Sequence, residues 1–268
     1  MPFTDGQNFL INYPMWFIAP LFFAEVLNML VRVVCRKIPA SSLKESCIFS
    51  FYLILGAIAI QLGGLQGLPD GGLLLVCRTF FFLACFGMGS FYANVLEKRD
   101  TASNVQYFAV LFGIQLFIIV LLHGGYTYIP SVCKFPGGIL GTYAVTITGI
   151  AFLLRCCKLL APRFGQSRLV LSLADNTFSI MCHHIFGFFL LCSLFAVLSV
   201  FTPWFNTFDM HAYLFDHTYK WMPATIPQLA LLYVVVGIAI SLIIHFLWEK
   251  IKQRSSGVLY KIKTGVMH

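Results

Sequence analysis

The chain has 268 residues, of which 59% are hydrophobic and only 10% are charged. Soluble domains carry about 25% charged residues, so this composition excludes a soluble globular protein. Long continuous apolar runs also exclude a β-barrel, whose strands would be short and alternating. The composition therefore predicts a polytopic helical membrane protein.

Windows of about 20 apolar residues predict seven transmembrane helices in one all-α domain that covers residues 1–268. The spans lie near 11–34, 47–64, 73–95, 104–123, 138–158, 176–201 and 226–248. Pro14 and Pro20 fall within the first span and predict a kink there. Most other prolines, Pro162 among them, fall between spans and predict breaks.

The net charge of +8 follows membrane topology and does not indicate nucleic acid binding. All but three of the 18 Lys and Arg residues follow spans one, three, five and seven; the exceptions are Arg78, Lys134 and Lys220. The positive-inside rule then predicts an outer N-terminus and a cytoplasmic C-terminus, with anionic lipid beside the basic loops. No signal peptide is predicted, because no basic residue precedes Arg32.

The sixth span contains two adjacent histidines, in the stretch DNTFSIMCHHIFGFF. Imidazoles are costly inside a membrane and are usually functional there. His183 shares one helical stripe with Asn176, Ser179 and Gly187, whereas His184 points about 100° away. The alternative is that both rings merely hydrogen-bond neighbouring helices.

Two charged residues lie in or near spans. Glu25, in the middle of the first span, must be protonated or paired, either structurally with Arg78 or a backbone group, or for function. Arg78 opens the third span and has the alternative of snorkelling to the interface.

The aromatic outer loop 202–225 suits either sugar rings or an interfacial aromatic belt. The nine cysteines predict neither a disulfide framework nor a metal site, and Cys133 alone lies clearly in an outer loop.

Three segments resemble the acyltransferase 3 family of integral-membrane O-acyltransferases, in particular its sugar O-acetylase-like members. They are PMWFIAPLFFAEVLNMLVRVVCRK, ACFGMGSFYANVLEK and LADNTFSIMCHHIFGFF. The first is similar to the pattern WFL-x-ALF-x-x-E-x-L, on which Trp16 and Glu25 fall. The last is similar to G-x-N-S/T-x-x-I-x-x-x-H, on which Asn176, Ile180 and His184 fall.

The resemblance implies transfer of an acyl group, usually acetyl from acetyl-CoA, to a hydroxyl of a cell-envelope carbohydrate or lipid-linked glycan at the plasma membrane, without a metal. The family has about ten helices and a cytoplasmic N-terminus, so a seven-span chain that begins outside would lack the first three. Those helices carry the family's catalytic histidine and arginines, which have no counterpart here.

On this interpretation, His184 or His183 orients the acceptor hydroxyl or shuttles its proton, with His184 favoured by the family pattern and His183 by the polar stripe. Glu25 would fix an imidazole tautomer or bind sugar hydroxyls. The residues expected to contact substrate are Trp16, Glu25, Arg78, Asn176 and Ser179.

Two other functions stay open. A transporter or flippase of a lipid-linked sugar predicts midplane charge pairs and internal repeats, and the sequence offers only Glu25 and no repeat. A non-catalytic subunit or remnant predicts no activity and no effect of histidine substitution. Homo-oligomerisation is also left open.

Overall fold

The computed structural model describes residues 15–65, 71–121, 128–203, 207–216, 219 and 229–263, with side chains for all of these except 65 and 254–263. Regular structure in these ranges is helical, apart from one isolated antiparallel bridge between Ile129 and Lys134. The all-α class predicted from the sequence is confirmed.

The helices follow the predicted spans, with two short additions. They are α1 (Ile18–Val34), α2 (Ser42–Leu65), α3 (Gly71–Phe91), α4 (Asn104–Leu121), α5 (Gly138–Phe164), α6 (Arg168–Asp175), α7 (Thr177–Phe201), α8 (Met210–Phe215) and α9 (Ala230–Lys263). A π-helical segment, Tyr92–Leu96, continues α3. The short helices α6 and α8 flank α7 and were not predicted.

Seven helices in the described part of the chain are long and apolar enough to cross a membrane. They are α1 to α5, α7 and α9, in agreement with the seven predicted spans. The protein is therefore an integral, multi-pass membrane protein. Apolar windows located the spans but not the helix ends, because a helix continues into polar residues as long as its backbone bonds are satisfied.

Prolines have less effect on these helices than the sequence suggests. Pro20 is the third residue of α1, in the first turn, where the N–H groups have no intrahelical acceptor. It therefore requires no kink, and Pro14 lies outside the described residues. The fifth helix runs through Pro162 and ends at Phe164. A proline this close to a helix end removes one backbone bond near the terminus and leaves the rest of the helix intact.

The chain divides into two compact units, with the boundary between Gln166 and Ser167. The sequence predicted a single domain. In the first unit, α3 packs against both α1 and α2, and α4 packs against α5. Half of the most apolar window of α3 is buried, against 6% for α4, so α3 is the central helix of this unit. Its core includes the fully buried Tyr52, Cys77 and Leu83.

In the second unit, α7 and α9 form the main helix pair. They approach most closely at two glycines: a Cβ built on Gly187 would lie 2.9 Å from the Cα of Gly237. Small residues at such a crossing let two membrane helices touch backbone to backbone. The core beyond the crossing contains Leu191, Cys192 and Phe195 of α7 and Tyr233 of α9.

Candidate functional site

The two histidines lie about two turns inside α7, and each ring bonds the helix's own backbone. Nδ1 of His183 is 2.8 Å from the carbonyl oxygen of Ser179, and Nδ1 of His184 is 2.9 Å from that of Ile180. A carbonyl only accepts hydrogen bonds, so each Nδ1 carries the hydrogen. In a neutral ring, Nε2 then carries the lone pair. Both histidines are thus arranged as proton acceptors at Nε2.

His184 lies beside α9 as well as within α7. Its Cβ would be 3.4 Å from a Cβ built on Gly237, and its ring meets the Phe188 ring edge-on at 5.4 Å between centroids. Phe188 in turn packs edge-on against Tyr233. No group among the described residues hydrogen-bonds Nε2 of either histidine, and both side chains are partly exposed. Each Nε2 can therefore accept a hydrogen bond from a ligand.

The stripe that His183 shares is partly a packing surface. The Ser179 hydroxyl donates to the carbonyl of Ser241 on α9 at 3.2 Å, and Gly187 is the crossing point described above. Asn176 donates through its side-chain amide to the carbonyl of Ser172 at 2.7 Å, at the junction between α6 and α7. Ser179 and Asn176, both predicted to contact substrate, thus also hold α7 to its neighbours.

Trp16 and Arg78, also predicted to contact substrate, are brought together in the first unit. The Arg78 guanidinium carbon lies 5.3 Å from the Trp16 ring centroid. Arg78 is 2% exposed and donates from Nε, at 2.8 Å, and from Nη2 to the carbonyl of Ser131, between α4 and α5. The guanidinium is thus buried under that loop and bonded to its backbone.

Glu25 lies on the exposed side of α1. It has no hydrogen bond or ion pair to any residue that the structure describes, and the guanidinium of Arg78 is directed at Ser131 instead. The tautomer-fixing role suggested for Glu25 is filled by the α7 carbonyls.

Part of the aromatic outer loop 202–225 packs into the core of the second unit. Phe208 and Tyr219 are buried there, and the Tyr213 hydroxyl is 2.9 Å from the Ser193 hydroxyl on α7. Asp209 caps α8 by accepting from the backbone N–H of Ala212 at 2.8 Å. These residues are structural, whereas Trp204 and Trp221 lie outside the described residues.

A charged cluster that sequence reasoning missed joins the π-helical segment to α5. Arg155 is 9% exposed and pairs with the Asp100 carboxylate at 3.1 Å. The same carboxylate oxygen accepts from the Tyr92 hydroxyl at 3.0 Å and lies 3.7 Å from Lys158. The Lys158 ammonium also reaches Glu97 at 3.2 Å. Tyr92 and Asp100 of this cluster also line a largely apolar cavity of about 480 Å³, whose other lining residues include Phe49 of α2, Tyr107 of α4 and Ile150 of α5.

The sequence predicted Arg155 and Lys158 only as basic residues on the cytoplasmic side of the membrane. Arg155 nevertheless lies inside the predicted span 138–158, and a charge inside a span signals a buried partner. That signal identifies Arg155 but not Asp100, which is far away in the sequence. π-Helical segments are common near functional sites, but no sequence pattern predicts this one.

A second polar network links α1, α2 and α3. The Asn28 side-chain oxygen accepts from the Tyr52 hydroxyl at 3.0 Å and from Arg32 at 3.1 Å. Arg32 also donates to the Ser90 hydroxyl at 2.8 Å and pairs with Glu45 at 3.4 Å. Each of these five side chains is bonded to another of them, which indicates a structural role.

Comparison with known proteins adds no family to this description. Among the described residues, no three His, Cys, Asp or Glu side chains converge as they would around a metal ion. No protein-family model, no curated protein sequence and no solved structure matches the chain.

Proposed function

We propose that this protein is a membrane-embedded O-acyltransferase of the plasma membrane. It would transfer an acyl group, acetyl in the simplest case, from acyl-CoA to a hydroxyl of a cell-envelope carbohydrate. Support comes from the family-like segments around Trp16 and His184 and from the multi-pass architecture. The observation that carries the proposal is the pair of imidazoles in α7 whose Nε2 atoms are free to accept a proton.

The chemistry needs such an acceptor, because a sugar hydroxyl is a weak nucleophile. In the proposed step, the hydroxyl donates a hydrogen bond to Nε2 of His184 while its oxygen attacks the thioester carbonyl carbon. The proton moves to Nε2, and the resulting imidazolium keeps its Nδ1–H bond to the Ile180 carbonyl. The C–S bond then breaks, and the CoA thiolate takes the proton from Nε2. The products are the O-acyl sugar and free CoA thiol.

The test is transfer of label from radiolabelled acetyl-CoA to glycan by the purified chain in liposomes that contain membrane glycan extract. We expect His184→Ala to lower the transfer rate by about 10²- to 10⁴-fold, the usual contribution of a positioned base. A smaller loss is expected for His183→Ala, because His183 shares its face of α7 with Ser179 and Gly187, which pack against α9. His245→Ala is the matched control, since His245 is a partly buried histidine in the adjacent helix α9.

Two results would contradict the proposal in different ways. Absence of transfer by the unsubstituted chain would reject the acyltransferase function. Full transfer by both histidine variants would leave the function standing and reject the role of the imidazoles.

A further inference from the structure

A cysteine occupies an unfavourable backbone position in the loop between α4 and α5. Residues Ile129 and Lys134 close this loop with two backbone hydrogen bonds of 2.8 and 3.1 Å, around a single 3₁₀ turn, Pro130–Val132. Cys133 follows the turn with a φ of +52°, in the left-handed region. Among the described non-glycine residues, no other has a positive φ.

Glycine would be the cheaper residue at this position, because a Cβ in the left-handed region costs about 1–2 kcal/mol. Such a conformation persists when the surroundings compensate for it. The backbone alone does not explain the cysteine, because its N–H bond to Pro130 would form equally well with glycine. The compensation must therefore come from the side chain, which is completely buried.

The Cys133 side chain lies in a core that contains a second cysteine. Cys77 of α3 is also completely buried and belongs to the same core cluster, in which Phe81, one turn further along α3, packs against Phe135 at 5.0 Å between ring centroids. The Cys133 thiol itself donates to the Pro130 carbonyl at 3.7 Å. Both cysteines are free thiols in this structure. The neighbouring Arg78 holds the same loop through the Ser131 carbonyl, and Gly63 of α2 leaves room for the Cys133 carbonyl, which any Cβ would strike. These contacts from α2 and α3 hold Cys133 in the core that contains Cys77.

The predicted topology places this loop on the outer side of the membrane, where disulfides form and persist. We propose that Cys77 and Cys133 form a disulfide bond in the mature protein. The two thiols lose two protons and two electrons, and the disulfide of a thiol oxidoreductase accepts them and becomes a dithiol. Since neither thiol is accessible after the loop has docked, the exchange takes place while the chain folds. The bond closes a covalent loop around the whole of α4 and fixes Ser131 against Arg78.

The test is mass spectrometry of protein extracted from native membranes into denaturant and N-ethylmaleimide without reductant. Denaturant is needed because the neighbouring Cys77 thiol and burial both raise the pKa of Cys133, which leaves little reactive thiolate in the folded state. We expect a peptide pair linked through Cys77 and Cys133 that disappears on reduction. Cys192 is the matched control, since it is equally buried and is hydrogen-bonded to a backbone carbonyl; it should be fully alkylated. Full alkylation of Cys77 and Cys133 would overturn the proposal.

A second measurement does not depend on peptide recovery. Reductant should lower the Tm of the detergent-solubilised protein by several degrees, because it reduces the bond in molecules whose loop opens on heating, and a bond that closes a long loop restricts the unfolded chain. The doubly substituted chain, Cys77→Ser with Cys133→Ser, should show no shift with reductant. An equal shift in both proteins, or none in the parent, would also overturn the proposal. Neither measurement depends on the acyltransferase activity.

Discussion

Arg155 shows how this protein holds a charge inside a span. Its guanidinium pairs with Asp100, donates to the carbonyl of Ala102 and lies 4.6 Å from the centroid of the Tyr107 ring. Three kinds of contact thus replace the water that a charge loses on burial. Its Nε has no hydrogen-bond partner among the described residues, so the site is not fully satisfied.

Replacing Arg155 by alanine should destabilise the protein strongly. Removing one partner of a buried ion pair leaves the other uncompensated and typically costs about 3–5 kcal/mol. Here Lys158 stays near Asp100 and recovers part of that cost, so we expect the lower end of the range. Denaturant titration of the purified protein in mixed micelles measures the change. Arg163→Ala is the matched control, because Arg163 is exposed on the same helix and should change stability by less than about 0.5 kcal/mol. Equal stability of the two variants would contradict the structural role of Arg155.

Some features of the individual residues can be predicted from the sequence, and others cannot. A histidine pair in an apolar span is visible in the sequence, and so is an arginine inside a span. The tautomers of His183 and His184 are not, because they depend on ring orientation relative to the preceding turn of α7. The partner of Arg155 is not visible either, because the chain places Asp100 beside it only after α4 has folded back along α5.

At the scale of elements, the crossing of α7 and α9 decides how the histidines are presented. A Cβ on Gly187 would meet the Cα of Gly237 at 2.9 Å and the carbonyl oxygen of Val236 at 3.2 Å. Both are backbone atoms, which cannot swing aside as a side chain can. The two helices must therefore separate if Gly187 gains a side chain, and His184 would move with α7.

Gly187→Ala should thus lower both the Tm, by several degrees, and the acyl transfer rate. Gly237→Ala should have a smaller effect on Tm, since its Cβ first meets the ring edge of Phe188, which can rotate. Gly149→Ala is the control: nothing lies within 4 Å of a Cβ there, and alanine is the better helix former. Thermal unfolding in detergent ranks the three variants. A Gly187→Ala protein as stable as the Gly149→Ala protein would contradict close packing of α7 on α9.

The elements themselves were predictable where apolarity determines them. Seven spans follow from hydropathy because the bilayer requires about 20 apolar residues for each helix. The ends of α5 and α9 lie beyond the apolar windows, because backbone hydrogen bonds continue the helix into polar residues. The short helices α6 and α8 and the π-helical segment carry no such signature, and their form depends on contacts with neighbouring helices.

At the scale of the whole molecule, the charge pairs lie toward the ends of the spans that carry the basic residues. Arg32 with Glu45, and Arg155 with Asp100, both join the end of one span to a neighbouring span or loop. A transporter would be expected to place such pairs near the midplane. Glu25, the charge in the middle of a span, has no ion-pair partner in the described part of the chain. The part of the chain that the structure describes therefore lacks the midplane charge pair that the transporter alternative predicts.

The same distribution gives a test of the topology on which the disulfide proposal depends. Gln166, between α5 and α6, and His211, on α8, are both exposed and lie on opposite predicted sides of the membrane. In the predicted topology, His211→Cys in intact cells should gain labelling by a membrane-impermeant maleimide over the unsubstituted chain. Gln166→Cys should gain labelling only after the membrane is permeabilised, because its loop belongs to the basic, cytoplasmic side. The reverse labelling pattern would show that the topology is opposite to the predicted one. Cys77 and Cys133 would then lie on the reducing side of the membrane, and the chemical reason for their oxidation would be lost.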